Sequence, residues 1–429
     1  MISSDKLNRM RILLITRYFP PLEGVATNRM VSWAKYWSRS GHDVTVCTTD
    51  KGERGKVDFP AQIIEIPYFD PIASFGGDRV KKQASMPGGV RSYLSHLAMS
   101  WYRRRLNERM PGRTAFWPRQ AKMKLMREPG FDLAVSSYGP PASHQIGLWA
   151  QKYFRCLWFA DFRDLWILNH NYLGIWPFTL WERRLERQVI RRADCTITVS
   201  EGLRNVLFKQ YPNSDIRLIP NGFDPDDFQE RTRQKRNTKF TITYTGTLYD
   251  GKQDPIPLFE ALAKLRNRDY SFASRVEVLF LGNASKRLTE LIKRFGLDDI
   301  VHYQGVVSHE QALQAQADAD ALLLLNFDHA YDGILTGKVY EYLAAKKPVL
   351  ALGVSPESEL GRLIVKVGGG VLCPNKAEMI AQTTIALERG DISHQSDPKA
   401  LELYSRKHQA ELITSWALKC SQRTISSSE

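Results

Sequence analysis

Short wholly apolar runs alternate along this chain with longer stretches in which apolar residues recur every three or four positions. The first pattern predicts strands buried on both faces and the second predicts amphipathic helices, so together they predict βαβ units around parallel sheets. In the first half the strand patterns are Arg11–Thr16, Asp43–Thr48, Ala61–Pro67, Phe131–Ser136, Cys156–Phe159, Thr196–Val199 and Ile216–Ile219. A helix from about Thr27 to Ser40 puts Met30, Trp33, Ala34 and Trp37 on one face, and Arg183–Arg192 reads as another. A polar, basic stretch, Gln229–Lys239, then marks a domain boundary. Beyond it the strand patterns are Phe240–Thr245, Val276–Leu281, Val301–Gly305, Ala321–Leu325, Pro348–Leu352 and Gly370–Cys373, and the chain from Leu401 onward is helical. Two such alternations predict two doubly wound α/β domains facing a cleft, where ligands usually bind.

The candidate chemistry gathers in Asp332–Val349 (DGILTGKVYEYLAAKKPV), between two buried-strand patterns. Val339, Tyr340, Leu343 and Ala344 recur at helical spacing, so Thr336 and Gly337 stand at a helix start, where backbone N–H groups and the macrodipole favour a phosphate. Lys338 places a full positive charge at that same end, against the dipole, which suggests a bound anion that offsets it. Glu341, three residues on, lies on the same face and is suited to a sugar diol. A lysine for diphosphate and a carboxylate for ribose is the pairing a nucleotide-sugar site needs; a surface helix with a Lys/Glu pair is the plain alternative. Gly24, after the Pro20-Pro21 loop, lets backbone approach a ligand, or is simply a turn glycine.

Composition excludes several classes. The five cysteines are scattered with no CxxC, which argues against a disulfide framework or a zinc site and fits a reducing cytoplasm. The apolar run Ile12–Ile15 is too short for a signal peptide and reads as a strand, and no stretch approaches the ~20 apolar residues of a membrane span, so neither feature is expected. The net charge of +14 is uneven: from Arg79 to Arg127 there are 13 Lys/Arg and one acidic residue, interleaved with Tyr93, Leu94, Leu97, Trp101, Tyr102, Phe116 and Trp117. That segment, with Arg103, Arg104 and Arg105 at its centre, suggests a peripheral surface for anionic lipid or a polyprenyl-phosphate carrier. A solvated basic face is the alternative, and no nucleic-acid motif accompanies it.

Four stretches in order give a resemblance that spans nearly the whole chain. They are RILLITRYFPPLEGVATNRM…GHDVTV, ADCTITVSEGLRNVL with RLIPNGFDPDDF, TITYTGTLYDGKQ, and LTGKVYEYLAAKKPVLAL. Together they resemble a GT-B fold glycosyltransferase of glycosyltransferase family 4; ADFRDLW, preceded by SSYGPPASH, resembles a bacterial subgroup of surface-glycan loci. The resemblance implies sugar transfer from a nucleotide-diphosphate sugar with retention, no metal and no cofactor beyond that co-substrate. It implies an acceptor-side domain at residues 1–228, a nucleotide-sugar domain at 229–400, and a helix in 401–429 that packs back on the first. Family members place Gly24 near the donor diphosphate, and Gly246, Thr247 and Lys252 follow the first strand of the donor domain.

The sequence departs from the family at three places. The first glutamate of E-x7-E falls on Gly333, leaving only Glu341; the usual donor-phosphate arginine is Thr247; and Lys252 is offset by one from the usual lysine. Lys338 then supplies the missing charge. Asp161, after the CLWF strand, is a candidate to orient or deprotonate the acceptor hydroxyl, or else a structural ion-pair partner of Arg163. His144 is either a catalytic-site residue facing sugar or acceptor, or an exposed or capping histidine. A retaining front-face reaction needs little protein base chemistry, since the departing diphosphate can take the acceptor proton. The expected partners are a nucleotide sugar, a glycan or polyprenyl-linked acceptor and an anionic membrane face, not nucleic acid, and the expected location is cytoplasmic. A nucleotide-sugar 2-epimerase and a non-catalytic nucleotide-sugar-binding protein are the competing functions.

Overall fold

A computed structural model describes residues 9–52, 55–67, 114, 116–169, 172, 174, 176–229, 231, 233–234, 238–327, 335–392 and 395–426. The chain divides into two compact units, one of residues 1–199, 203–220 and 409–429, the other of 200–202 and 221–408.

The first unit holds a seven-stranded sheet in the order β3-β2-β1-β4-β5-β6-β7, with every pairing parallel. Its strands are β1 (Arg11–Ile15), β2 (Asp43–Thr49), β3 (Gln62–Ile66), β4 (Leu133–Ser137), β5 (Leu157–Phe162), β6 (Cys195–Thr198) and β7 (Ile216–Leu218). Leu13 and Ile15 pack in one core cluster while Ile12 and Leu14 pack in another, so both sheet faces are covered. That is why the strands read as unbroken apolar runs. Helices α1 (Val25–Arg39), α2 (Trp117–Leu125), α3 (Ala142–Phe154), α4 (Phe178–Arg192) and α5 (Glu201–Gln210) supply the crossovers among the described residues.

The second unit holds a six-stranded parallel sheet in the order β10-β9-β8-β11-β12-β13. The strands are β8 (Phe240–Thr245), β9 (Val276–Leu281), β10 (Val301–Gly305), β11 (Ala321–Leu325), β12 (Val349–Leu352) and β13 (Gly370–Cys373). The longer helices are α6 (Ile256–Arg268), α7 (Lys286–Arg294), α8 (His309–Asp318), α9 (Lys338–Ala344), α10 (Glu359–Val367) and α11 (Ala377–Arg389). Leu323 and Leu325 join one cluster and Leu322 and Leu324 the other, repeating the two-faced burial of the first unit.

The last helix, α12 (Arg406–Ser426), returns to the first unit. Its Ala410, Ile413 and Ala417 pack with Met30, Trp33 and Trp37 of α1, and Trp37 Nε1 donates to the Ala410 carbonyl at 2.9 Å. The apolar face expected on the first helix is therefore the seat of the last one.

In each sheet one adjacent pair has crossovers leaving in opposite directions: β1 with β4, and β8 with β11. Such switch points open a crevice at the carboxyl ends of the strands, the usual ligand position in open parallel sheets.

Candidate functional site

The second unit's switch point is occupied by Lys338, the first residue of α9. Its Nζ donates to Tyr244 Oη at 2.7 Å and sits 4.0 Å from the centroid of that ring. Tyr244 Oη donates to the Thr247 carbonyl at 2.8 Å, and Gln253 Oε1 lies 3.1 Å from the same oxygen. Gly246 follows β8 with φ of 100°, and a Cβ built there would stand 3.4 Å from Lys338 Nζ. The strand end, the turn and the lysine thus form one packed group.

The rest of α9 does not lie on the surface: Val339, Tyr340, Tyr342, Leu343 and Ala344 are buried. This rules out the surface-helix alternative. It also changes the charge expected of Lys338, because burial pushes its ammonium down to about 7, with Glu341 pulling the other way. The charge is thus far less firmly held at neutral pH than that of an exposed lysine.

Burial likewise raises the Glu341 carboxyl, while His309 lowers it. His309, at the start of α8, is held above the usual histidine range by Asp227, whose Oδ2 is 3.6 Å from Nε2. Glu341 therefore has a second neighbourhood, of His309, Asp227 and Gln316, that sequence spacing did not reveal. Thr336 and Gly337 directly precede α9, with Gly337 as its N-cap and no side-chain cap. Lys252 is exposed and borders a cavity of about 400 Å³ together with Arg287, Asn326, Gly353 and Asn375. Gly333 lies outside the described residues.

In the first unit Gly24 is the N-cap of α1, with φ of 122° and open space where a Cβ would be. That backbone conformation, rather than crowding, is what favours glycine there.

Asp161 differs from expectation in two respects. Strand β5 continues through it to Phe162, so Asp161 lies inside the sheet and is fully buried. Its partner is Arg29 of α1, not Arg163. Arg29 Nη2 donates to Oδ1 at 2.9 Å, Nε to Oδ2 at 3.3 Å, and Ser137 Oγ adds 3.0 Å to Oδ2. Both carboxylate oxygens are engaged, which is how a charge is tolerated in a buried strand. The same guanidinium reaches the carbonyls of Ile219 and Pro220, at 3.0 and 2.8 Å, and lies over the Trp33 ring. Arg163 instead donates to the Tyr138 carbonyl, pairs with Asp164 at 3.5 Å and covers Tyr18. Arg29 was missed, although a charged residue flanking the Met30, Trp33, Trp37 stripe is the kind of anomaly that signals a buried ion pair.

His144 is neither exposed nor a cap. It is fully buried in the first turn of α3, stacked 4.6 Å from Phe162, with Nδ1 2.8 Å from Ser136 Oγ. Burial pushes its ring down to about 3, so it is neutral. Ser136 Oγ also accepts the Trp158 indole N–H at 2.8 Å. Among the described residues Nε2 has no hydrogen-bond partner.

Arg103, Arg104 and Arg105 lie outside the described residues, as does most of their basic segment. Its described end is α2, with Trp117 buried and Phe116 exposed. Among the described residues no group of His, Cys, Asp and Glu is placed to hold a metal ion, and no helix is long and apolar enough to cross a membrane.

Residues 24–222 match the glycosyl transferase 4-like domain family, and residues 239–389 match the glycosyl transferases group 1 family. A putative colanic acid biosynthesis glycosyltransferase, WcaL of Escherichia coli K12, is 27% identical over 210 residues, which is 48% of this chain. The chain spans about half the length of that relative, 50%. Among solved structures, a sucrose-phosphate synthase from Thermosynechococcus elongatus has a TM-score of 0.55 at 15% identity, covering 98% of this chain and all of that one. Anabaena HepE in complex with UDP and glucose has a TM-score of 0.52 at 14% identity, over 97% of this chain and 99% of that one. At such identity these structures speak for the shared two-domain GT-B fold.

Proposed function

We propose, from the match of residues 24–222 to the glycosyl transferase 4-like domain and of residues 239–389 to the glycosyl transferases group 1 family, that this glycosyltransferase moves a sugar from a nucleotide-diphosphate sugar to a glycan or lipid-linked acceptor. The transfer is retaining and metal-independent and serves surface-polysaccharide synthesis, at the cytoplasmic face of the membrane. The observation that carries this reading is Lys338, half-buried on Tyr244 at the β8/β11 switch point. A buried lysine without a carboxylate at ion-pair distance among the described residues is unfavourable until an anion arrives.

In this reading the donor diphosphate lies across Lys338, Gly246 and Thr247, with Thr336 and Gly337 beside it and Lys252 at its margin. Glu341 takes the ribose hydroxyls. As the bond between sugar and diphosphate breaks, negative charge grows on the leaving oxygen, and Lys338 is placed to stabilise it. The acceptor hydroxyl attacks the same face and passes its proton to that diphosphate oxygen, so no side chain has to act as base. Asp161, closed off by Arg29 and Ser137, supports this by fixing β5 rather than by taking a proton. The neutral His144 ring contributes shape at the end of β4.

The test is turnover with a panel of nucleotide sugars and a glycan acceptor, with the anomer of the product read by nuclear magnetic resonance. Transfer with retention, unaffected by chelator and lost in Lys338→Met, is expected. Inversion, a free 2-epimer, or donor binding without turnover across the panel would overturn it.

A further inference from the structure

Helix α4 carries a surface that the donor site does not use. Its inner face is Glu182, Leu185, Glu186, Val189 and Ile190. Its only two carboxylates point inward, where Glu182 accepts from Trp166 Nε1 and Tyr172, and Glu186 from the Ile167 N–H and Tyr211. The outer face is left with Arg183, Arg184, Arg187, Arg191 and Arg192, all exposed and facing no acidic residue of their own helix. Leu180, Arg184, Arg187 and Arg191 follow i, i+4, i+7, i+11 spacing, so they form one stripe. At its amino end stand four large apolar side chains: Trp176 is 78% exposed, Leu180 51%, Trp181 42% and Phe178 40%.

Ordinary solvated helices mix charges of both signs and hide their tryptophans. An apolar, tryptophan-rich end joined to a stripe of one sign is instead the composition of an element lying in a membrane interface, the rings at headgroup level and the guanidinium groups against phosphates. We infer that the outer face of α4 seats the first unit on an anionic phospholipid surface, with Trp176, Leu180 and Trp181 entering the interfacial layer and Arg184, Arg187 and Arg191 meeting the headgroups. This rests on the membrane-face part of the proposed function but names residues other than Arg103, Arg104 and Arg105. Charge complementarity decides the occupant: five exposed arginines, on a helix whose two carboxylates are both buried, fit a phosphate-rich plane.

The experiment is co-sedimentation of the full chain with vesicles of phosphatidylglycerol and phosphatidylethanolamine, and with neutral phosphatidylcholine vesicles. Two triple variants are compared with wild type: Trp176→Ser with Leu180→Ser and Trp181→Ser, and Arg184→Gln with Arg187→Gln and Arg191→Gln. All six positions are solvent-exposed, and melting curves verify folding. Expected is binding to the anionic vesicles, weakened at least about tenfold by either triple change, with salt dependence reduced only in the arginine variant. Turnover on a soluble acceptor stays at the wild-type level. Binding of both variants equal to wild type overturns the inference and leaves sugar transfer untouched. So does equal binding to neutral vesicles, or a dimer in solution that dissolves on loss of the tryptophans while vesicle binding is unchanged. Absence of transfer with every donor would instead strike the proposed function, whatever the vesicles show.

Discussion

Titrating a nucleoside diphosphate into the protein at pH 8 should draw a proton from the buffer. Lys338 titrates near 7 in the ligand-free site because burial disfavours its charge. At pH 8 roughly nine molecules in ten then hold it neutral, and at pH 7 about half do. A diphosphate beside Nζ reverses the balance and restores the ordinary lysine range, so binding takes up about 0.9 proton at pH 8 and about 0.5 at pH 7. Affinity should therefore fall about tenfold, or ~1.4 kcal/mol, for each pH unit above 7. The ligand's own phosphate ionises near pH 6 and is finished by pH 8, so the uptake there belongs to the protein. The assay is calorimetric titration in two buffers of different ionisation enthalpy, with Lys338→Met as control. Wild type without uptake at pH 8, or a methionine variant that keeps it, refutes the assignment of Lys338 to the diphosphate. The same shift has a stability sign. A lysine whose folded value is depressed lowers stability as pH falls from the unfolded 10.5 through about 7. Hence Lys338→Met should stabilise the empty protein at pH 6, by up to about 4.7 kcal/mol, in thermal or urea melts.

Three further outcomes follow. Asp161→Asn and Arg29→Gln should each cost about 3–5 kcal/mol of stability, because each leaves a buried partner unpaired, whereas Arg163→Gln should cost little; equal melting temperatures for Asp161→Asn and wild type would disprove the clamp. The His144 ring should not titrate between pH 4.5 and 8 in nuclear magnetic resonance spectra, given its value of about 3, and a ring that protonates near pH 6 would contradict its burial. Burial raises the Glu186 carboxyl to about 7, so its contribution is full below the unfolded value of 4.5 and is lost as pH rises through 7. Denaturation curves should therefore show stability falling by roughly 2–3 kcal/mol from pH 5 to 8, with the fall absent in Glu186→Gln.

What could be read from sequence alone follows from where the physics is local. Arg11–Ile15 and Ala321–Leu325 are covered on both faces, so their apolar runs announce strands without any partner being known. The spacing of Val339, Tyr340 and Leu343 fixes α9 in the same way. Charge states are different, because they depend on neighbours distant in the chain. Lys338 is pushed down to about 7 by burial where it packs with Tyr244, 94 residues away. Asp161 stays in strand β5 because Arg29, 132 residues earlier, holds it; the only partner visible locally was Arg163, two positions on. The inward turn of Glu182 and Glu186, which leaves α4 with a one-signed outer face, likewise depends on Trp166, Tyr172 and Tyr211.

The Arg29 guanidinium has a consequence for how the protein is made. It leaves the ribosome well before its partners, for its contacts arrive with Asp161, then Ile219 and Pro220, while Gln409 binds the same Pro220 carbonyl at 3.0 Å. Until α12 emerges, the Met30, Trp33 and Trp37 stripe has no cover from Ala410, Ile413 and Ala417. The first unit is therefore the last to be completed during synthesis, although its sequence comes first. The second unit, nearly all within 221–408, can close while its elder neighbour waits. A fragment cut after residue 220 would carry an exposed tryptophan seam, whereas one spanning 221–408 would not.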